Sequence, residues 1–315
     1  MPQNIAILGA GTLGLTLGLR LAQQGHTVRV FEAAPQPGGL ATWFDYGPFT
    51  WDKYYHVVLP GDTALQALID ELGLSESLRW ATPKTGFLWR GRLVSMSNYL
   101  EFLTFPPLTP WQKVRLAVGL MRVQRMHDGA ALDGIAAPQW LAQVFGRDVY
   151  TRIWEPLLIS KFGVLHDVVP ATIMWATIRR YAATRSSGGG RDCMGYLRPA
   201  GLKVMYDALA ARIEALGGSV VCAAPVERVW LSEDGPAMVT TAGDNHAFDR
   251  VIATAPARVV QRIAPDLPGL YADEQQTPYF LGVIRLALLL PEPLTPYYIT
   301  NLIERGFSFT GIIDL

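Results

Sequence analysis

Three glycines near the start of the chain, Gly9, Gly11 and Gly14, stand between an apolar run and a helical pattern, and few folds accommodate that arrangement. Asn4-Ile5-Ala6-Ile7-Leu8 reads as a buried strand and runs straight into Gly9-Ala10-Gly11-Thr12-Leu13-Gly14. A helix with an apolar face follows through Leu15, Leu19 and Leu21 to about Gln24, and Thr27 to Glu32 reads as a second strand ending in an acid. Strand, glycine turn, helix, strand and acid make up a Rossmann unit that binds a dinucleotide. Gly9 permits the tight turn, Gly11 lets the backbone approach a pyrophosphate, and Gly14 lets the helix pack close to the strand. The helix N-terminus, with Thr12 and Leu13, offers unpaired N–H groups and partial positive charge to the phosphates. Glu32 accepts hydrogen bonds from a ribose diol and repels a 2′-phosphate.

The next residues choose the cofactor. Pro37-Gly38-Gly39-Leu40 follows closely on Glu32. This doublet resembles the second FAD motif of the flavin-dependent amine oxidase superfamily, which includes amine oxidases, protoporphyrinogen oxidases, phytoene-type desaturases and UDP-galactopyranose mutases. Gly18 matches the extended form of the first motif, whereas Ala34, Pro35 and Gln36 stand where many relatives carry an Arg. That departure points toward the desaturase and mutase branches. The resemblance implies FAD, with Gly38, Gly39 and Leu40 beside its pyrophosphate and ribityl chain. A helix from Leu202, then strands at 219–222 and 226–229, resemble the superfamily's return to the FAD domain, where the backbone at Val226 would touch adenine. Phe248 to Pro256 resembles the strand and turn that pass close to the dinucleotide, which adds Ala255. Trp154 to Gly163, Tyr55-His56, Lys84-Thr85-Gly86 and Gly195 to Arg198 resemble stretches of bacterial proteins in the protoporphyrinogen oxidase-like branch.

The predicted fold class is α/β: a Rossmann-like FAD-binding domain, an inserted and mainly helical substrate domain, and a terminal antiparallel sheet. The FAD-binding domain is split between residues 1–80 and 194–265, with the insertion at 81–193 and the sheet at 266–315. A hairpin turns at Arg90-Gly91, helices start at Thr109-Pro110, Pro138 and Pro170, and Ser186 to Gly190 is a break. Apolar alternation at 279–290, 297–303 and 307–313 predicts the sheet strands. Nothing matches the glycine-containing strand–helix that covers the flavin ring in the superfamily. The chain is therefore expected to be a fragment or a natural truncation, with the isoalloxazine end of its site open and flavin weakly held.

Composition narrows the partners. Lys plus Arg and Asp plus Glu both number 27, so no basic surplus argues for nucleic acid. Cys193 and Cys222 match no zinc spacing, and the five histidines do not cluster, so no metal is expected. The N-terminus lacks the positive region of a signal peptide, and no apolar run reaches the roughly 20 residues of a membrane span. A cytoplasmic protein is expected, with a small-molecule or lipid-like substrate.

In such a protein the flavin supplies the hard chemistry and the chain positions the substrate. His56 is a base or substrate-orienting group, or else an imidazole satisfied by backbone. Lys161 binds an anionic group or snorkels to water. Arg285 lies in a stretch resembling the amine oxidase strand whose Lys holds a water against the flavin, but one residue out of register. Arg is also a poor base. Arg179, Arg180, Arg185 and Arg191 form either an anion receiver or a solvated helix end. Tyr99 to Met126 is a monotopic membrane face giving peripheral contact at the inner side of a membrane, or helical core with solvated basic residues. The expected activity is FAD-dependent dehydrogenation of a C–H/C–N or C–H/C–C bond. A mutase-like flavin isomerase and a non-catalytic nucleotide-binding remnant are the alternatives.

Overall fold

Strand β1 (Asn4–Leu8) is buried at every position after its first, as a strand covered on both faces must be. Helix α1 (Thr12–Gln23) and strand β2 (Thr27–Phe31) follow it. The computed structural model describes residues 1–187, 193–233, 235–266, 281–304 and 306–314. β1 pairs in parallel with β2 on one side and with Arg250–Ala253 on the other, and β2 pairs in parallel with Ser219–Val221. One parallel sheet thus draws strands from segments more than two hundred residues apart. Gly18 lets α1 settle on it. A Cβ there would lie 3.2 Å from Ile213 of the helix Lys203–Ala215 and 3.3 Å from Val30. A separate antiparallel sheet, Val226–Leu231, Ala237–Thr241 and Asp244–Phe248, contributes Val239 and Phe248 to a core with Ala6, Leu8 and Phe31. These elements belong to one compact unit made of Met1–His56, Ala64–Arg79 and Tyr196–Arg285.

The second unit comprises Val57–Thr63, Trp80–Gly195 and Leu286–Leu315. Its helices include Tyr99–Thr104, Pro110–Arg125, Ala137–Phe145, Glu155–Phe162 and Ala171–Ser187. Local chemistry sets their starts. Asn98 accepts a hydrogen bond from the Glu101 amide, and Thr109 and Gln112 form a reciprocal capping box with Pro110 at the first helical position. Leu116, Val123, Leu141, Phe145 and Leu158 share one buried core. Gly119 is needed in it, because a Cβ there would lie 2.3 Å from Phe145 Cδ1.

The hairpin Thr85–Trp89/Arg92–Ser95 turns through Arg90 and Gly91, both left-handed at φ 51° and 69°, which suits the strand twist. Ile299–Leu302 pairs antiparallel with Gly311–Ile313 but parallel with Thr85–Trp89. The terminal strands therefore join a mixed sheet whose parallel seam links segments too distant for any local signal. One expectation is corrected. Of the strand read over 279–290, residues 279–280 lie outside the described residues, and 281–290 form no strand; Val283, Ile284 and Leu286 stand exposed. Alternation supplies the propensity, but a strand also needs a neighbour's backbone ladder, and 281–290 meets none among the described residues. Arg191, the Arg185 side chain and the glycines of the expected break also lie outside the description.

Replacing Gly119 by Ala should overpack the Phe145 contact and cost about 1–3 kcal/mol. Thermal melts would read this as a lower midpoint, and an unchanged midpoint would show that Phe145 moves aside freely.

Candidate functional site

The turn after β1 is built by close approach. Gly9 has φ 110°, and its N–H donates to the Phe31 carbonyl at 2.8 Å. A Cβ on Gly14 would lie 1.9 Å from the Gly9 carbonyl oxygen and 3.0 Å from Thr254 Oγ1. Only hydrogen fits there, so the first turn of α1 is pressed against the end of β1. Gly11 is the N-cap of α1. It supplies no side-chain cap, and the first turn carries no acid. Those orphan N–H groups face no protein carboxylate of their own turn, the arrangement an anion completes.

The glycine doublet comes to the same place. The Gly38 N–H donates to the Ala10 carbonyl at 2.9 Å, and a Cβ on Gly39 would lie 3.3 Å from Gly11 Cα. Gly38 has φ 114° and Gly39 φ 56°. Two glycine loops distant in sequence therefore face each other with only backbone between them. Leu13 and Leu40, at their rims, are exposed.

Glu32 braces this cradle. Its Oε2 accepts from the Ala10 N–H at 2.8 Å and its Oε1 from the Ala34 N–H at 2.9 Å. Each carboxylate oxygen keeps a second lone pair, so a hydroxyl pair can still be received. Its main chain is bonded as well, from Glu32 N–H to the Val221 carbonyl and from the Ala224 N–H to the Glu32 carbonyl, both 2.9 Å. Val226 begins its strand two residues beyond Ala224 and is partly buried against the Phe31 and Phe248 core. Ala255 follows Thr254, with its nitrogen 3.9 Å from where a Gly9 Cβ would be.

Two residues of the cradle escaped the sequence reading. Thr254 Oγ1 donates to the Leu8 and Gly9 carbonyls at 3.0 and 3.2 Å and fills the space left by Gly9 and Gly14. Its signal was its place at the end of a parallel strand beside β1. Tyr206 is fully buried, shares a 2.7 Å hydrogen bond with Thr12 Oγ1, and has its pKa raised by that burial. Nothing in the sequence pairs those two.

The titratable candidates fall as follows. His56 is exposed, and its Nδ1 lies 3.1 Å from the Tyr54 carbonyl, the backbone-satisfied arrangement. Lys161, in the second unit, is exposed overall. Its ammonium lies 5.7 Å from the Phe162 ring centre, and partial burial of that end, then the charge of Arg180, lowers its pKa. Arg180 itself is paired with Asp62 at 2.8 Å. Arg285 donates to the main-chain carbonyls of Asp52, at 3.3 Å, and Lys53. A guanidinium held this way ties down a loop; it does not occupy a strand position. Among the described residues no group of three or more metal-binding side chains is assembled.

Asp52 is the buried acid that sequence missed. It is 4 % exposed, and burial pushes its pKa up to about 6 against the opposing Leu202 N–H bond and the charge of Arg285. Its Oδ1 accepts from Leu202 at 2.7 Å, where the helix bearing Tyr206 begins, and it presses so closely on Gly201 (φ 63°) that no Cβ fits there.

A parallel sheet with a glycine turn, an uncapped helix end and an acid after the second strand defines a dinucleotide-binding protein of Rossmann type. The model of the family "Flavin containing amine oxidoreductase" matches residues 14–310, and the chain belongs to that family. FAD is its cofactor, and the side-chain-free cradle fits a pyrophosphate. The chain is similar to 15-cis-phytoene desaturase of Solanum lycopersicum, 25% identical over 312 residues that cover 90% of this chain and 51% of that protein. It spans about half the length of the plant desaturases it matches. Among solved structures it resembles an oxidoreductase from Methanosarcina mazei, with TM-score 0.64, 20% identity and coverage of 86% of this chain and 63% of that one. It also resembles a putrescine oxidase bound to putrescine, with TM-score 0.62, 22% identity and coverage of 85% and 62%. At these identities the two structures show the fold.

Gly11 and Gly14 separate ligand from fold. A Cβ on Gly11 meets nothing nearer than 4.0 Å, so Gly11→Val should fold but weaken FAD by on the order of a hundredfold, about 3 kcal/mol. Gly14→Ala should lower the melting midpoint as well. Unchanged FAD affinity of the Gly11 variant in a titration would remove the pyrophosphate from this turn.

Asp52 carries a pH signature. Folding raises its pKa, so the folded chain holds a proton that the unfolded chain releases. The stabilisation is complete below the ordinary value of 3.8 and is lost as pH rises through about 6. The difference amounts to about 3 kcal/mol. Asp52→Asn keeps an acceptor for Leu202 without the charge. Its melting midpoint should match the parent near pH 4 and exceed it at pH 7; a lower midpoint at pH 7 would mean that the charge itself is required.

Proposed function

We propose that this chain is an FAD-dependent oxidoreductase that dehydrogenates a C–H/C–N or C–H/C–C bond of a small-molecule or lipid-like substrate. The observation that carries this reading is the family match over 14–310, laid across a cradle in which two glycine loops face an uncapped helix end. FAD would supply the redox chemistry, taking up a hydride equivalent from the substrate. The chain's own residues have narrower work. Gly11 leaves space for the pyrophosphate, while Gly9 makes the turn and Gly14 the close helix–strand contact that present it, with Gly38 and Gly39 beside it and the N-terminal N–H groups at Thr12 and Leu13 donating to it. Glu32 receives the ribose diol on the lone pairs that Ala10 and Ala34 leave free. Thr254 and Tyr206 are positioning residues, holding the turn and the first helical residue.

We assign the divided nucleotide domain to residues 1–80 and 194–265 and substrate recognition to 81–193 with 266–315. Lys161 is the candidate for an anionic group of the substrate, because its ammonium is partly dehydrated and no ion pair engages it among the described residues. Arg285 is committed to loop carbonyls, which argues against its acting on the substrate.

FAD-loaded chain should lose its visible flavin absorption under nitrogen when mixed with a true substrate. Putrescine and 15-cis-phytoene, from the names of two relatives, are the first to try. Turnover without net bleaching, and only with pre-reduced flavin, would favour the isomerase reading instead. Failure to bind FAD at all would sink the assignment.

A further inference from the structure

The helix Pro110–Arg125 carries two apolar stripes, and folding accounts for only one of them. Gln112, Leu116, Gly119 and Val123 are buried, Leu116 and Val123 within the helical core. On the other side Trp111, Val114, Val118 and Met121 follow one another at three- and four-residue spacing. Trp111 is 68% exposed, and Val114 and Met121 are exposed too. The neighbouring helix Tyr99–Thr104 adds Tyr99, Leu100 and Leu103, each at least 64% exposed. Lys113 Nζ donates to the Leu103 carbonyl at 2.5 Å and joins the two helices.

The charges carried by these two helices are mostly positive. Residues 99–126 hold Lys113, Arg115, Arg122 and Arg125 against a single acid, Glu101. Glu101 is turned inward, where its carboxylate accepts from the Ser97 N–H at 2.8 Å and from the Ser95 hydroxyl. Arg115 pairs with Asp148 at 3.0 Å. Arg122 and Arg125 flank the exposed stripe and form no ion pair among the described residues. An aromatic and aliphatic stripe edged by Arg122 and Arg125, with no ion pair to either among the described residues, does not suit a second copy of the same face, which would set Arg against Arg.

We propose that these two helices form a docking face for a bilayer surface bearing anionic headgroups. No described helix is long and apolar enough to cross a membrane, so the face lies in the interface. Trp111 and Tyr99 are the side chains that favour the headgroup level. Leu100, Leu103, Val114 and Met121 enter the acyl boundary, and Arg122 and Arg125 meet the negative surface potential. This goes beyond the redox reading and requires no flavin.

The test is flotation of the 315-residue chain with vesicles of phosphatidylcholine alone and of phosphatidylcholine mixed with phosphatidylglycerol, across a range of salt. Binding should be strongest to the phosphatidylglycerol vesicles and fall as salt rises. Trp111→Glu with Met121→Glu should abolish it. Arg122→Gln with Arg125→Gln should weaken the anionic vesicles roughly 30-fold while leaving binding to phosphatidylcholine unchanged. All four side chains are exposed, and circular dichroism with an FAD titration checks that each variant folds. Absence of flotation with either vesicle, or flotation retained by the Trp111/Met121 variant, would overturn the proposal. So would concentration-dependent self-association that this variant removes, since the face would then belong to a second copy. Because the readout involves no turnover, it stands or falls separately from the proposed chemistry.

Discussion

At Gly14 the first helix of the nucleotide unit lies so close to the end of the first strand that a methyl group would sit 1.9 Å from the Gly9 carbonyl oxygen. Everything at the cradle depends on that approach. It brings the orphan N–H groups of α1 to the edge of the parallel sheet, where the turn through Gly9 leaves the strand. It also makes a slot that Thr254 closes from the neighbouring strand, with its hydroxyl on the carbonyls of Leu8 and Gly9. A side chain at any of these points would separate helix from strand and dismantle a phosphate site made of backbone.

Glu32 shows how recognition and folding share a group. A sequence reading casts it as a ribose acceptor, and nothing in its position prevents that. In the folded chain the same carboxylate also holds the amides of Ala10 and Ala34, while its main chain bonds Val221 and Ala224. It therefore fixes the glycine turn, its own loop and the entry to the antiparallel sheet that begins at Val226. Removing it would loosen the site before any ligand contact was lost, so a binding defect in a Glu32 variant would report both roles together.

A second layer sits behind the cradle. Thr12, in the first turn of α1, is held by Tyr206, which lies in the first turn of the helix Lys203–Ala215. Asp52 accepts from Leu202 at the start of that helix, and Arg285 ties down the backbone beside Asp52. A buried acid thus anchors the element that orients the phosphate-binding helix. In the second unit one helix is divided in a similar way, its buried stripe building the core while Trp111, Val114 and Met121 stand exposed.

The sequence by itself determined the Rossmann unit, the glycine doublet, the hairpin at Arg90-Gly91 and the helix starts at Thr109 and Pro138. Each rests on a local rule: a left-handed turn, a close approach only glycine permits, a cap, or an apolar period. Tertiary structure alone decided that Gly39 faces Gly11, that Thr254 fills the slot at Gly14, and that Tyr206 holds Thr12. It also buried the Asp52 carboxyl and left the His56 imidazole exposed, although both lie in one short stretch. It left 281–290 without a strand despite its alternation, and placed Ile299–Leu302 parallel to Thr85–Trp89. These outcomes depend on contacts between segments far apart in the chain. Periodicity and spacing record what a segment can do locally, whereas burial, pairing and proton affinity are set by whatever neighbour the rest of the fold brings to it.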